Sequence, residues 1–375
     1  MDFTLTEEQV MLRDTARDVF STYDIEKLRA AETSGVGWDP KIWASLAEIG
    51  ILGLPFAEDA GGTGAGPVEV SAIMGEIGRS LAPEPVLHAA YIPGVLIDRA
   101  AAGDRRTELL TEVSEGRLRL AFAHEEPDDR WPSAAVETSA TAGSDGVVLS
   151  GKKYPVFAGD TAHKFVVSAR RADGSIGLFL VDSNAAGVTV GGYHSFDGRR
   201  GAEIVFDQTP AVELAEGDQT PAIAYAEAFA QTALCAEAVG AMAKALELTT
   251  EYLKSRKQFG VTLSKFQALT HRAADIYVLL ELASSMSLYA TASLADDDLD
   301  PLIYSRAKLQ IATSSRKLGQ EAIQLHGGIG MTAEYPVGHY VARLTAISQT
   351  LGNADAHRAT LAAHVGEYDM VTVTD

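Results

Sequence analysis

Gln324-Leu325-His326-Gly327-Gly328-Ile329-Gly330 ends a long helical run in a glycine turn. Upstream lies Arg256-Lys257-Gln258-Phe259-Gly260, followed by Phe266-Gln267. Glycine takes positive φ at little cost and lets another molecule come close. Alone, Gly327-Gly328-Ile329-Gly330 reads as a plain helix C-cap turn. Arg256 closes a helical run, where the helix dipole favours a cation, and its guanidinium can also grip a pyrophosphate bidentately. Gln267 can bond a ribose or phosphate oxygen. Each residue taken singly is soft evidence; their joint spacing is not.

The 375 residues exceed one typical core, so two or three domains are expected. Net charge is −20, which argues against a nucleic acid or other polyanion as main partner but leaves room for a local basic pocket. The single cysteine, Cys235, excludes an internal disulfide and a cysteine-built metal site, and it reads as a small buried hydrophobe. Met1 to Glu8 has no basic and apolar leader pattern, and no long uncharged apolar stretch stands out. The expectation is a cytoplasmic protein with no membrane partner and no metal.

Three zones follow from periodicity. Residues 1–117 read as helices: Thr6 and Gln9 have capping-box spacing, Pro40–Ile49 is a second helix, and Pro67 opens a third, with Val70, Ile73, Met74 and Ile77 at helical spacing. Residues 118–214 change to short apolar runs parted by turns, at Leu118–Phe122, Val147–Leu149, Lys164–Ser168, Ile176–Val181 and Ala202–Phe206. That pattern predicts a β-sandwich or small barrel. Residues 215–375 are helical again, with runs over Ala222–Ser255, Phe266–Ala295, Leu302–Leu325 and Asp355–Gly366. The fold class is α+β: a helical domain, a middle β domain and a four-helix bundle.

Arg-x-x-Phe-Gly, Phe-Gln and Gln-x-x-Gly-Gly-x-Gly followed by Glu334-Tyr335-Pro336 together resemble the C-terminal domain of the acyl-CoA dehydrogenase family. Thr6-Glu7-Glu8-Gln9 and Ile49-Gly50-Ile51-Leu52-Gly53-Leu54-Pro55 are similar to its first domain, and Leu234 to Gly240 looks most like the small subunit of pimeloyl-CoA dehydrogenases. The resemblance implies FAD bound between subunits of a tetramer, an acyl-CoA substrate and an electron-transfer flavoprotein as acceptor. By position it assigns Arg256, Phe259, Gln267, Gln324, Gly327 and Gly328 to the adenine half of a neighbouring subunit's flavin.

The pattern breaks at the chemistry. The reaction that the resemblance implies needs a base to take a proton beside the thioester. The family supplies a glutamate after the glycine motif or on the long helix. The matching residues here are Leu351 and Ala230, so the catalytic residue is open. Glu227, one turn before Ala230, is the nearest substitute, against a plain reading as a solvated carboxylate near a helix start. Glu237 reads as part of a polar stripe with Lys244 and Glu251, and Asp355 as the N-cap of the last helix. On the flavin-ring side, Thr-Glu-Pro becomes Glu125-Glu126-Pro127, and Trp-Ile-Thr becomes Pro155-Val156-Phe157. Glu125, Glu126, Asp128 and Asp129 would repel an anionic cofactor unless they turn away. Three readings result. The chain is a subunit of a heteromeric dehydrogenase whose related partner carries the base; or it is a self-sufficient homotetramer using Glu227; or it is a flavin-free structural or acyl-binding protein.

Overall fold

The computed structural model describes residues 4–127, 131, 136–143 and 146–367. Six α-helices come first: α1 (Glu7–Phe20), α2 (Ile25–Glu32), α3 (Pro40–Glu48), α4 (Pro67–Ser80), α5 (Ile92–Ala100) and α6 (Gly103–Ser114). Their starts are written locally. In α1 the Gln9 N–H donates to Thr6 Oγ1 at 3.2 Å while the Thr6 N–H donates to Gln9 Oε1 at 2.9 Å, a complete capping box. Proline opens α3 and α4 at the first helical position, where no N–H is needed. Helices α2, α5 and α6 lie outside the runs read from periodicity; α2 starts at Asp24, which accepts from the Lys27 N–H at 2.8 Å.

Seven strands follow: β1 (Leu120–Ala123), β2 (Ser139–Gly143), β3 (Gly146–Phe157), β4 (Lys164–Arg170), β5 (Ile176–Asp182), β6 (Val188–His194) and β7 (Arg200–Glu213). Successive pairings β4–β2, β2–β3, β3–β7, β7–β5 and β5–β4 close a ring, so the sheet is a small barrel, with β1 added on β4 and β6 on β7. Strand β4 is apolar on both faces for a reason. Phe165, Val167 and Ala169 fill the barrel core, whereas Val166 joins the main helical core with Leu120 and Leu178. That second face docks the barrel on the helices. Strands β2 and β6 were not among the expected runs; β6 is largely exposed, so it lacks an apolar alternation.

The third part comprises α7 (Thr220–Ser255), the hairpin β8 (Lys257–Gln258) and β9 (Val261–Thr262), α8 (Gln267–Ala295), α9 (Pro301–His326), α10 (Val337–Gln349) and α11 (Ala354–Ala363). Helices α7 to α10 pack as a four-helix bundle, with α11 against α9. Helix α10, absent from the sequence expectation, fills the fourth position. The final helix is capped by Asn353, which accepts from the N–H groups of Asp355 and Ala356; Asp355 is therefore in the first turn and is not the cap. Among the described residues, α8 alone is long and apolar enough to cross a membrane by length and composition. It qualifies the expectation from sequence, but α8 also packs on α7 and α9, and its outward face carries Tyr277, Val278, Leu282, Leu288 and Tyr289.

Helix α4 crosses α7 at backbone contact. A Cβ on Gly78 would lie 1.9 Å from the Glu237 carbonyl oxygen, and one on Gly240 would lie 1.9 Å from that of Gly75. The first helical part and the bundle thus share one continuous core.

Candidate active site

A cleft opens where the first half of α7, the segment before α5, the barrel and the loop after α10 converge. Ala226, Glu227 and Ala230 come from α7, His88 and Ile92 from the helical part, and Thr350 and Leu351 from the loop. The two positions where the resemblance expects a base, Ala230 and Leu351, are brought into one cleft, and neither has a carboxylate. Leu351 and Gly352 hold left-handed backbone at φ 53° and 93°, which turns the loop sharply at the cleft rim. Beneath the loop, His357 Nε2 lies 3.0 Å from the Leu351 carbonyl oxygen, as its donor. Burial, aided by the Lys308 charge, pushes the His357 ring down to about 4. Burial likewise pushes Lys308 down to about 8; its ammonium donates to the Ile347 carbonyl at 2.7 Å.

Glu227 is partly buried rather than fully solvated. It lines the cleft, with Oε1 3.5 Å from His124 Nε2, and His124 Nδ1 lies 2.8 Å from Ser168 Oγ. His124 went unread in the sequence. Its only signal there was its place beside Glu125-Glu126-Pro127, at the end of β1.

On the ring side, Glu126 turns inward. It accepts from Lys153 Nζ at 2.7 Å and from the N–H and hydroxyl of Thr138. Burial opposes its charge, but Lys153 and the Thr138 donors outweigh that and hold the carboxyl below its ordinary range. The expected repulsion is therefore reduced by one carboxylate; Glu125 lines the cleft, and Asp128 and Asp129 lie outside the described residues. Pro155 and Phe157 form the facing wall, and the Phe157 ring lies against His88 with centroids 4.7 Å apart. This wall offers no N–H at 155 and no hydroxyl at 157.

Glu237 also departs from its expected role. It is 2 % exposed and takes two bonds from Arg343, at 2.7 and 2.9 Å; Arg343 also donates to Asp197 at 2.9 Å. Burial disfavours the carboxylates, but Arg343 prevails and keeps both ionised below the usual range. The ladder ties α7 to α10 and to the β6–β7 turn. Only tertiary contact could reveal it, because Arg343 and Asp197 are remote in sequence.

The six residues assigned to a nucleotide lie elsewhere. Arg256 is the exposed C-cap of α7 and Gln267 the exposed first residue of α8. Phe259 and Gly260, at φ 53° and 81°, are the central residues of a type I′ hairpin turn, and Phe259 is 91 % exposed. Gln324, Gly327 and Gly328 are exposed at the end of α9, and a Cβ on either glycine would meet nothing within 4 Å. Both groups belong to one end of the bundle. Tyr252, one turn before Arg256, stacks on His326 at 4.8 Å, and Tyr335 packs on the same ring at 4.8 Å. From Ala230 to Arg256 the helix runs roughly 39 Å. No single dinucleotide reaches both ends. The outer end offers open glycines, two amide side chains and a guanidinium, a set that fits an adenine nucleotide; positions 155 and 157 of the cleft wall lack the N–H and hydroxyl that the resemblance places beside a flavin ring.

Family models describe the acyl-CoA dehydrogenase N-terminal domain over residues 6–117, the middle domain over 121–209 and the C-terminal domain over 225–366. The short-chain-specific acyl-CoA dehydrogenase of Clostridium acetobutylicum is 27% identical over 90% of this chain and 92% of its own. FadE28, an acyl-CoA dehydrogenase of Mycobacterium tuberculosis, is 29% identical over 96% and 98%. The solved structure of a steroid ACAD variant, Tcur3481-Tcur3483, is 33% identical and covers 97% of this chain and 99% of its own, with a TM-score of 0.88. A Mycobacterium smegmatis glutaryl-CoA dehydrogenase in complex with FADH2 is 20% identical over 98% and 97%, with a TM-score of 0.89, and shares the fold. The chain belongs to the acyl-CoA dehydrogenase family.

Proposed function

We propose that this chain is one subunit of a heteromeric FAD-dependent acyl-CoA dehydrogenase, in which a related partner carries the base and holds the flavin ring. The observation that carries the reading is the cleft itself: Ala230 and Leu351 meet in it with no carboxylate at either position, while the nucleotide-side residues are intact at the far end of α7. When bound, FAD supplies the hydride acceptor. This chain's own part is to complete the partner's cofactor site with Arg256, Phe259, Gln267, Gln324, Gly327 and Gly328. The outward apolar face of α8 suits burial against a related subunit. Two of the similar structures support the assembly in their descriptions, one naming two components of a steroid ACAD and the other a ChsE4-ChsE5 complex of Mycobacterium tuberculosis. The first, a steroid ACAD, also favours a bulky acyl group over a short one. The likeness to the pimeloyl-CoA dehydrogenase small subunit fits the same division of labour, with an electron-transfer flavoprotein as acceptor in the cytoplasm.

Flavin content tests the reading. The chain purified alone should carry little flavin, and co-expression with its adjacent gene's product should yield fewer flavins than subunits. Arg256→Ala should lower flavin in the mixed complex several-fold with no change in assembly. Full flavin occupancy of the lone chain, bleached by acyl-CoA, would overturn it.

One observation favours the self-sufficient alternative: Glu227 reaches the cleft beside His124. On that reading Glu227→Gln retains flavin and loses turnover by about 100-fold or more. A variant as active as the parent removes Glu227 from the chemistry.

A further inference from the structure

Behind Glu227 a run of polar side chains reaches from the cleft into the barrel. His124 follows β1 on the same face as Leu120 and Phe122, the face turned to the helices, so its ring meets α7 at Glu227. The Phe122 ring lies nearly parallel to it, with centroids 5.1 Å apart and 5° between the planes, and fixes the plane of the imidazole. On the barrel side His124 Nδ1 is 2.8 Å from Ser168 Oγ. Ser168 and Lys153 are both fully buried. Lys153 Nζ donates to Glu126 Oε1 at 2.7 Å, to the His124 carbonyl at 2.9 Å and to Ser168 Oγ at 3.2 Å.

These contacts assign the histidine tautomer. An ammonium only donates, so Ser168 Oγ accepts from Lys153. The serine hydrogen then needs an acceptor of its own in a buried place, and Nδ1 is its partner among the described residues. Nδ1 therefore presents its lone pair, and the neutral ring carries its proton on Nε2. The other tautomer would strand the serine hydrogen and set the Nε2 lone pair against a carboxylate oxygen. Nε2 lies 3.5 Å from Glu227 Oε1, and both side chains line the cleft. At that length the contact is a poor hydrogen bond, of the kind that tightens when a ligand is bound.

We propose that His124 is a positioning residue for Glu227. Locked as the Nε2–H tautomer from the barrel side, its ring holds one carboxylate oxygen and leaves the other to take a proton from the carbon beside a thioester. In that step the C–H bond breaks, its electron pair passes into the thioester carbonyl, and the proton forms an O–H bond on Glu227. The inference rests on the second reading above, in which Glu227 is the base. It supplies what a carboxylate one turn before Ala230 otherwise lacks, a fixed orientation.

Solvent-deuterium exchange at the carbon beside the thioester tests it, using the full chain and saturated acyl-CoA thioesters of increasing length, read by mass spectrometry. This measures proton removal without any oxidation. Glu227→Gln should abolish the exchange. His124→Phe keeps a ring on Phe122 and removes the N–H; it should slow exchange roughly tenfold or more at saturating thioester and leave half-saturation little changed, the worth of one hydrogen bond to a charged group. His124→Gln, whose amide still donates, should recover most of that loss. Ser168→Ala, buried out of reach of any ligand in the cleft, should also slow exchange, because it releases the tautomer. Neutron diffraction from crystals grown in heavy water should place the ring deuteron on Nε2. A His124→Phe variant as fast as the parent, with Glu227→Gln inactive, would overturn the inference and leave the base in place. A deuteron on Nδ1 would overturn it as well. Exchange absent from the parent, or unchanged in Glu227→Gln, would strike instead at the reading beneath it.

Discussion

Phe259 occupies left-handed backbone at φ 53° and leaves 91 % of its surface in solvent. An L-residue there costs roughly 1–2 kcal/mol relative to right-handed geometry. Its only ring contact among the described residues is an edge-on approach to Phe266 at 6.1 Å. The residue thus destabilises its own turn without burying its ring, as the proposed role toward a neighbouring subunit's cofactor would require. Phe259→Gly should leave the isolated chain equally stable or up to about 1 kcal/mol more stable by chemical denaturation. The same variant should lower flavin retention in the assembled complex. Its candidacy came from motif spacing, but its strain and exposure were not legible there, because both depend on the hairpin that β8 and β9 build.

At the scale of elements, the α4–α7 crossing decides how the molecule is assembled. In the sequence Gly240 is a lone interruption of a long apolar helix. In the fold it is one half of a reciprocal contact with Gly75, and Gly78 meets the Glu237 carbonyl in the same way. Gly240→Ala would force its methyl to 1.9 Å from a backbone oxygen, which no rotamer relieves. The helices must then separate. We expect a loss of about 1–3 kcal/mol or more, read as a drop in Tm, and a wider cleft, since Glu237 and the Ala226–Ala230 face share α7. An alanine at Gly328, where a Cβ meets nothing, serves as the control for packing. Helix α10 illustrates the other limit: its sequence follows the glycine motif directly and was absorbed into that motif, so its helical period passed unread.

Across the whole molecule, several buried groups are held in forms that acid disfavours. The His88 ring, pressed by burial and the Arg343 charge, is pushed down to about 3, and His357 to about 4, from an ordinary value of 6.5. A group whose folded pKa is depressed contributes its full stabilisation above the unfolded value and loses it as pH falls through the folded value. For the histidines the loss begins near pH 6.5, and for Glu237 and Asp197, held ionised by Arg343, it follows at lower pH. The Tm should therefore fall as pH drops from about 6.5 toward 4, and His357→Gln should flatten that slope. A Tm independent of pH over this window would contradict the burial assigned to both rings. The His357 ring sits beneath the Leu351 loop, so the same acid step should loosen the cleft rim.

Sequence alone determined the three zones, the capping box of α1, the proline starts of α3 and α4, and the family, because caps, periods and motifs are local or are spaced by the length of a helix. It also showed that Leu351 and Ala230 are not carboxylates. Tertiary structure decided the rest. It brought those two positions into one cleft, set Glu227 against His124, turned Glu126 onto Lys153 and buried Glu237 with Arg343. Each of these is a contact between residues far apart in the chain, and a charge reads the same in sequence whether it faces water or a buried partner. The distance between the cleft and the outer end of α7 is likewise a property of the folded helix. On the proposed heteromeric reading, that distance is what divides one chain between two cofactor sites.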